Sequence, residues 1–251
     1  MRLLAVTSYK GTNYAGWQKQ PNALTIEEEI EKALSQFFNK EINIYGAGRT
    51  DAGVHAYGQT FHFDVEVDEL DIDRLIYSLN KMLPEDIKIN DMEEVEDSFH
   101  ARYSAKGKFY SYTLCTESKD PFWYDKAYMF PNKEFDVEVF KDALSRFEGK
   151  HNFKNFTSKE EDQDNFVREI FEIEVVTSNN NESPLMYVLL HGNGFMRYMI
   201  RYIIGYALDV ACGRYTPESI DDLLDDNSER NIVSSKAPAC GLALVAVDYD
   251  D

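Results

Sequence analysis

Between Gly46 and His55 the chain reads Gly-Ala-Gly-Arg-Thr-Asp-Ala-Gly-Val-His, which sets Arg49 and Asp51 among three glycines. Asp51 is the only acid from Ile42 to Phe63, in a chain that carries 45 acids in 251 residues. Glycine lets a backbone approach a ligand closely and adopt positive φ, and reactive side chains tend to sit on loops held over a rigid scaffold. A lone carboxylate beside an arginine is a candidate for chemistry rather than solvation, because a nearby positive charge keeps it ionised. On local pattern alone the same residues also read as a plain turn, since Asp and Gly are common turn formers. A dinucleotide fingerprint does not fit. Asp51 stands where its third glycine is required, and no helical periodicity follows.

Three further segments mix bases with aromatics. The first runs from Phe99-His100-Ala101-Arg102-Tyr103 through Lys106-Gly107-Lys108 to Phe109-Tyr110-Ser111-Tyr112. Aromatic faces stack on unpaired bases while Arg and Lys hold phosphates, although the stretch reads equally as a strand with one aromatic face. The second, Asn193–Arg201, opens an expected helix with Arg197 and Arg201 four apart on one face. Such a pair is ordinarily a solvated surface. Arg201 differs, because the apolar stretch around it would bury it and a buried arginine needs an acidic partner. None stands nearby before Asp209. The third, Gly11–Lys19, is an aromatic, glycine-bearing loop that also reads as a packing turn.

The net charge of −19 argues at first against a nucleic-acid partner. Its distribution argues otherwise. Acids concentrate in 64–73, 85–97, 160–164 and 218–229, whereas 1–26, 98–116 and 183–208 contain none. With the stretch around Asp51, these segments hold Arg2, Lys10, Lys19, Arg49, Arg102, Lys106, Lys108, Arg197 and Arg201. If they meet in space they form a positive surface on a negative body, and a polyanion responds to that local field. No apolar run is long enough to cross a bilayer, and the N-terminal Met1–Val6 run is too short for a signal peptide. Cys115, Cys212 and Cys240 are widely spaced and read as reduced thiols of a cytoplasmic protein. The five histidines show no ligand spacing, so no metal and no cofactor is expected.

Periodicity supplies the scaffold. Strands are expected at Leu3–Ser8, Ile42–Tyr45, Tyr57–Val67 and Ile87–Val95, and helices around Ile26–Phe37, behind a Thr25–Glu28 capping box, and Ile72–Leu83. The second half repeats the order. It has strands at Lys108–Cys115, Val167–Thr177, Leu185–His191 and Leu242–Val247, and helices around Phe140–Phe147, Phe195–Cys212 and after Thr216-Pro217. Strand-helix-strand-strand-helix-strand, twice, is the split βαβ pattern. The expected class is α+β: two ferredoxin-like (RRM-like) domains, 1–103 and 104–251, with mainly antiparallel sheets and the catalytic cleft between them.

Gly48-Arg49-Thr50-Asp51-Ala52-Gly53-Val54-His55 resembles the signature of the TruA family of tRNA pseudouridine synthases, and the similarity covers almost the whole chain. Gly11-Thr12 with Gly16-Trp17-Gln18, Phe99–Arg102 with Lys108–Tyr112, Phe195 with Met199-Ile200-Arg201, and Gly241-Leu242 with Val245–Val247 resemble the family's other motifs in order. Tyr202 departs from the pattern, since an Asn is common there, and the chain is unusually acidic. The resemblance implies that Asp51 is catalytic, that Arg49 and Arg201 support it, and that Tyr110, Lys108 and Arg102 contact substrate. It further implies a homodimer acting without metal on uridines 38–40 of the tRNA anticodon stem-loop. Two rival readings stand beside it: a relative that modifies ribosomal RNA, and a non-catalytic RNA-binding module that would leave the isolated Asp51 unexplained.

Overall fold

Strand β1 (Arg2–Tyr9) pairs antiparallel with a long later strand on each side, and this three-strand ladder organises the first part of the chain. The computed structural model describes residues 1–116, 120–158, 165–178 and 185–249. One partner of β1 is β3 (His55–Asp64), with Leu3 opposite Phe63; the other is β4 (Ile87–Val95), with Leu3 opposite Glu94. Leu3, Ala5, Phe61 and Phe63 are fully buried, as are Ile26, Ile30 and Leu34 of helix α1 (Ile26–Phe38) and Leu75 and Leu79 of α2 (Ile72–Met82). Leu4, on the opposite face of β1 from Leu3, joins Ala47 and Ala101 in a second apolar cluster flanked by Phe99, Val247 and Tyr249. Both faces of β1 are therefore covered.

The chain divides into two compact units, Met1–Lys108 with Ala243–Asp251, and Phe109–Leu242. In the first, the strand order is β4-β1-β3, followed by β10 (Leu242–Asp248), with the short β2 (Tyr45–Gly46) also on β3. Strand β3 shares one edge between two partners. His55 and Ala56 lie opposite Ala243 and Leu244 of the parallel β10, while Phe61 and His62 lie opposite Gly46 and Tyr45. The second unit contains β5 (Gly107–Cys115) from Phe109 onward, β6 (Tyr128–Met129), α3 (Val137–Ser145), β7 (Gly149–Asn152), β8 (Val167–Thr177), β9 (Leu185–Gly192), α4 (Met199–Ala211) and α5 (Glu218–Leu224). Its strands run in the order β5-β9-β8-β7, with β6 parallel to β5, and α3 packs on the almost wholly buried α4. The fold is thus mixed α/β with mostly antiparallel strands.

Several sequence-based expectations shift here. The last strand groups with the first unit, not with 104–251, because it pairs with β3 and ends at Tyr249, whose hydroxyl donates to the Ala101 carbonyl at 2.7 Å. Ile42 and Ile44 are buried alternately, as a strand would be, but their N–H groups go to Ser35 Oγ and Glu31 Oε1 on α1, so only Tyr45–Gly46 forms ladder. The capping box at Thr25 does not form. The Ile26 and Glu27 N–H groups donate instead to the carbonyls of Gly16 and Trp17, and Thr25 Oγ1 is buried without a partner. Helix α4 starts at Met199, not Phe195, because Tyr198 takes the left-handed conformation at φ 63°. That costs a bulky side chain about 1–2 kcal/mol. Arg197 therefore precedes the helix and does not share a helical face with Arg201. Acid-free in sequence also differs from acid-free in space. Arg2 is bonded to both oxygens of Asp64, and Lys19 pairs with Glu31 at 2.9 Å. The acidic run 160–164, and Ser183 and Pro184 of the acid-free stretch, lie outside the described residues.

Tyr249 also meets the buried Thr60 hydroxyl, so its phenol joins β3 to the turn before β5. Tyr249→Phe leaves both groups short of a partner and is expected to destabilise the protein by about 1–2 kcal/mol. Denaturant unfolding with an unchanged m-value checks this.

Candidate active site

The Asp51 loop leaves β2, turns through 47–54 and enters β3, and hydrogen bonds fix it along nearly its whole length. Ala47 N–H donates to the Thr60 carbonyl at 2.8 Å, and Gln59 Nε2 donates to the Gly48 carbonyl at 2.9 Å. Thr50 is held twice: its carbonyl accepts from Trp17 N–H at 3.1 Å, and its hydroxyl meets the Tyr9 phenol at 2.7 Å. Val54 N–H closes the turn onto the Asp51 carbonyl at 3.1 Å. Gly53 sits at φ 80°, a conformation that side chains rarely adopt, and donates to the Tyr14 carbonyl. His55 accepts the Gly11 N–H at Nδ1, 3.1 Å, which ties the start of β3 to the end of β1.

These bonds hold the backbone and leave the chemistry to the side chains. Arg49 is exposed and Asp51 half-buried, next to each other across the pinned Thr50. Arg49 also lies close enough to the buried Glu27 of α1 for its charge to favour the ionised carboxylate there. Burial outweighs that effect and raises the Glu27 pKa overall.

Lys108, at the start of β5, enters the same loop. Its ammonium donates to the Ala47 carbonyl at 2.8 Å, where a Cβ on Gly48 would stand 2.8 Å from Nζ. Only a glycine at 48 leaves room for that contact without displacing the lysine. Burial, helped by the positive charge of Arg102, lowers the Lys108 pKa to about 8. Arg102 itself is exposed in the turn before β5, with its guanidinium 5.8 Å from the Tyr103 ring centre. Lys108 thus touches the loop that carries Arg49 and Asp51, and Arg102 lies near enough to Lys108 for its charge to be felt.

Tyr110 and Arg201 belong to the second unit. Tyr110, on β5, is buried with its ring edge-on to Phe195 at 5.2 Å. Arg201 lies in the first turn of α4, half-buried, as the apolar stretch around it predicts. Its Nε donates to the Ala237 carbonyl at 2.8 Å, and Ala237 N–H returns a bond to the Arg201 carbonyl at 2.9 Å. The two residues thus clamp the segment 235–238 onto the helix.

Sequence reading missed how the loop is held, through bonds among Tyr9, Trp17 and Thr50. A single N–H or hydroxyl bond leaves no periodicity, though the aromatic Gly11–Lys19 loop was a signal that something packs there. It also missed Lys236, 4.1 Å from the Tyr198 ring centre, because that lysine lies outside the acid-free segments.

Residues 5–104 and 143–250 match the model of a family described as tRNA pseudouridine synthase. The chain belongs to the tRNA pseudouridine synthase family. Proteins named tRNA pseudouridine synthase A resemble it from end to end. The one from an Exiguobacterium species is 37% identical over 99% of this chain and 98% of its own. That of Listeria monocytogenes is 38% identical over 99% of both, and that of a Geobacillus species 38% over 100% and 99%. Among solved structures, a chain of a Cbf5-Nop10-Gar1 complex superposes with a TM-score of 0.36 and 13% identity, over 82% of this chain and 54% of that one, too distant to bear on function. As a pseudouridine synthase the protein is an isomerase.

The Lys108–Arg102 pair offers a direct check. Heteronuclear NMR of lysine Cε–Nζ groups should find Lys108 half-protonated near pH 8. Arg102→Ala should move that midpoint up, because removing a positive neighbour favours the ammonium form.

Proposed function

We propose that the protein converts uridine to pseudouridine at positions 38–40 of the tRNA anticodon stem-loop, with Asp51 as the catalytic carboxylate. The observation that carries this reading is the loop itself. In a member of the pseudouridine synthase family, Thr50 is pinned through its carbonyl and hydroxyl, so that Arg49 and Asp51 present charged groups from a fixed backbone. Such positioning before substrate arrives is what lowers a barrier.

In the proposed reaction the C1′–N1 bond breaks, the uracil turns, and C5 bonds to C1′. The proton lost from C5 is matched by one gained at N1, so the product is an isomer. Asp51 serves at C1′ or C6, either as nucleophile or in assisting a glycal-type route. Arg49 and Arg201 keep it ionised. Tyr110 stacks on the uracil, and Lys108 and Arg102 meet the RNA backbone. The uridine must leave its stack to be reached, as in other base-modifying enzymes.

The same reading includes a homodimer in the cytoplasm and two ferredoxin-like domains. The order β4-β1-β3-β2 in the first unit supports the fold part. Among the described residues, no helix is long and apolar enough to cross a membrane.

Asp51→Asn should cut single-turnover pseudouridine formation on an anticodon stem-loop substrate by at least about a thousand-fold while leaving tRNA binding in place. Wild-type turnover by that variant would sink the assignment. Pseudouridine mapping in a deletion strain should show loss at tRNA positions 38–40; loss in ribosomal RNA instead would redirect the substrate.

A further inference from the structure

The Tyr198 ring collects three cations. Lys236 Nζ lies 4.1 Å from its centre, Arg197 Cζ 4.9 Å and Arg201 Cζ 5.2 Å. Arg197 also donates from Nη2 to the Tyr198 hydroxyl oxygen at 3.1 Å, which leaves the phenol hydrogen pointing to no acceptor among the described residues. Three like charges around one ring repel each other. An aromatic face offsets part of that repulsion, but it cannot neutralise the charge. No carboxylate among the described residues pairs with Arg197 or Lys236, in a chain where acids outnumber bases 45 to 26.

The arrangement is held in place rather than left to chance. The Arg197 carbonyl accepts from the Thr157 hydroxyl at 3.0 Å and from Ser158 N–H at 3.4 Å. Tyr198 is kept at φ 63°, and backbone strain of that kind concentrates at ligand sites. Lys236 sits in the segment that the Arg201–Ala237 pair clamps to α4. Two exposed cations carried on a held backbone, with a phenol O–H between them, are the donor set that a phosphate oxygen accepts.

We propose that Arg197, Lys236 and the Tyr198 hydroxyl form an RNA phosphodiester site that grips the substrate backbone apart from the reacting base. This rests on the reading of the protein as an enzyme acting on tRNA. Arg201, assigned above to the catalytic carboxylate, contributes field only. Phosphate contacts position an RNA without reading its sequence, so the site governs binding and leaves the chemical step alone.

The test uses the full chain and unmodified tRNA transcript. Binding is measured across a salt series for wild type, for Arg197→Ala/Lys236→Ala, and for the charge-keeping Arg197→Lys/Lys236→Arg. The alanine pair should lower the slope of log K against log salt by about 1 to 2 and weaken binding about ten- to a hundredfold at low salt. Its single-turnover rate at saturating tRNA should match wild type, and the charge-keeping pair should retain the wild-type slope. A wild-type slope in the alanine pair overturns the proposal, as does an equal loss in both pairs, which would assign the role to shape. Wild-type protein that binds tRNA but forms no pseudouridine would fail the catalytic reading and leave this site standing, since its readout is binding.

Discussion

Thr50 is the point on which the loop geometry turns. Its carbonyl is bonded by the Trp17 N–H and its hydroxyl by the phenol of Tyr9, the last residue of β1. Trp17 is 1% exposed, and its ring lies 6.0 Å from Tyr9 and 6.1 Å from Phe61 of β3. The loop is therefore fastened to the apolar core of the first unit and cannot shift without opening it. Interiors packed like crystals resist such shifts. The folding free energy of the core thus also orients Arg49 and Asp51, which flank Thr50.

The same segment serves a helix. The carbonyls of Gly16 and Trp17 receive the first N–H groups of α1, which replaces the side-chain cap that Thr25 was expected to give. Glu27, in the first turn of that helix, accepts from the Lys19 N–H at 2.6 Å and from Gln18. One stretch of chain thus caps a helix, completes the core and holds the loop. A change at Trp17 disturbs all three, and such effects do not add independently.

Net charge describes this protein poorly as a partner for RNA. Of the bases in the acid-free segments, Arg2 and Lys19 are taken up by Asp64 and Glu31, while Arg102, Lys108 and Arg197 have no carboxylate partner among the described residues. Local field, not total charge, governs a polyanion's approach, and the Lys108 pKa, lowered chiefly by burial, is lowered further by the nearby charge of Arg102.

Most of the strands and helices were legible in the sequence because burial on one face imprints a period of two or 3.6 on apolar residues. The chemistry of the loop was legible too, as an arginine and an isolated carboxylate among glycines. Periodicity is silent about where a backbone N–H finds its acceptor. That is why the Ile42–Tyr45 strand gave way to side-chain bonds from α1, and why the capping box at Thr25 did not form. It is silent also about a left-handed Tyr198, which shortened α4 and moved Arg197 off its face. By itself the sequence determined the elements, the family and the candidate carboxylate, since these rest on residue types and local spacing. Only the tertiary structure decided which cations are neutralised, where β10 pairs, and that Lys236 stands beside Tyr198, because each depends on groups far apart in the chain meeting in space.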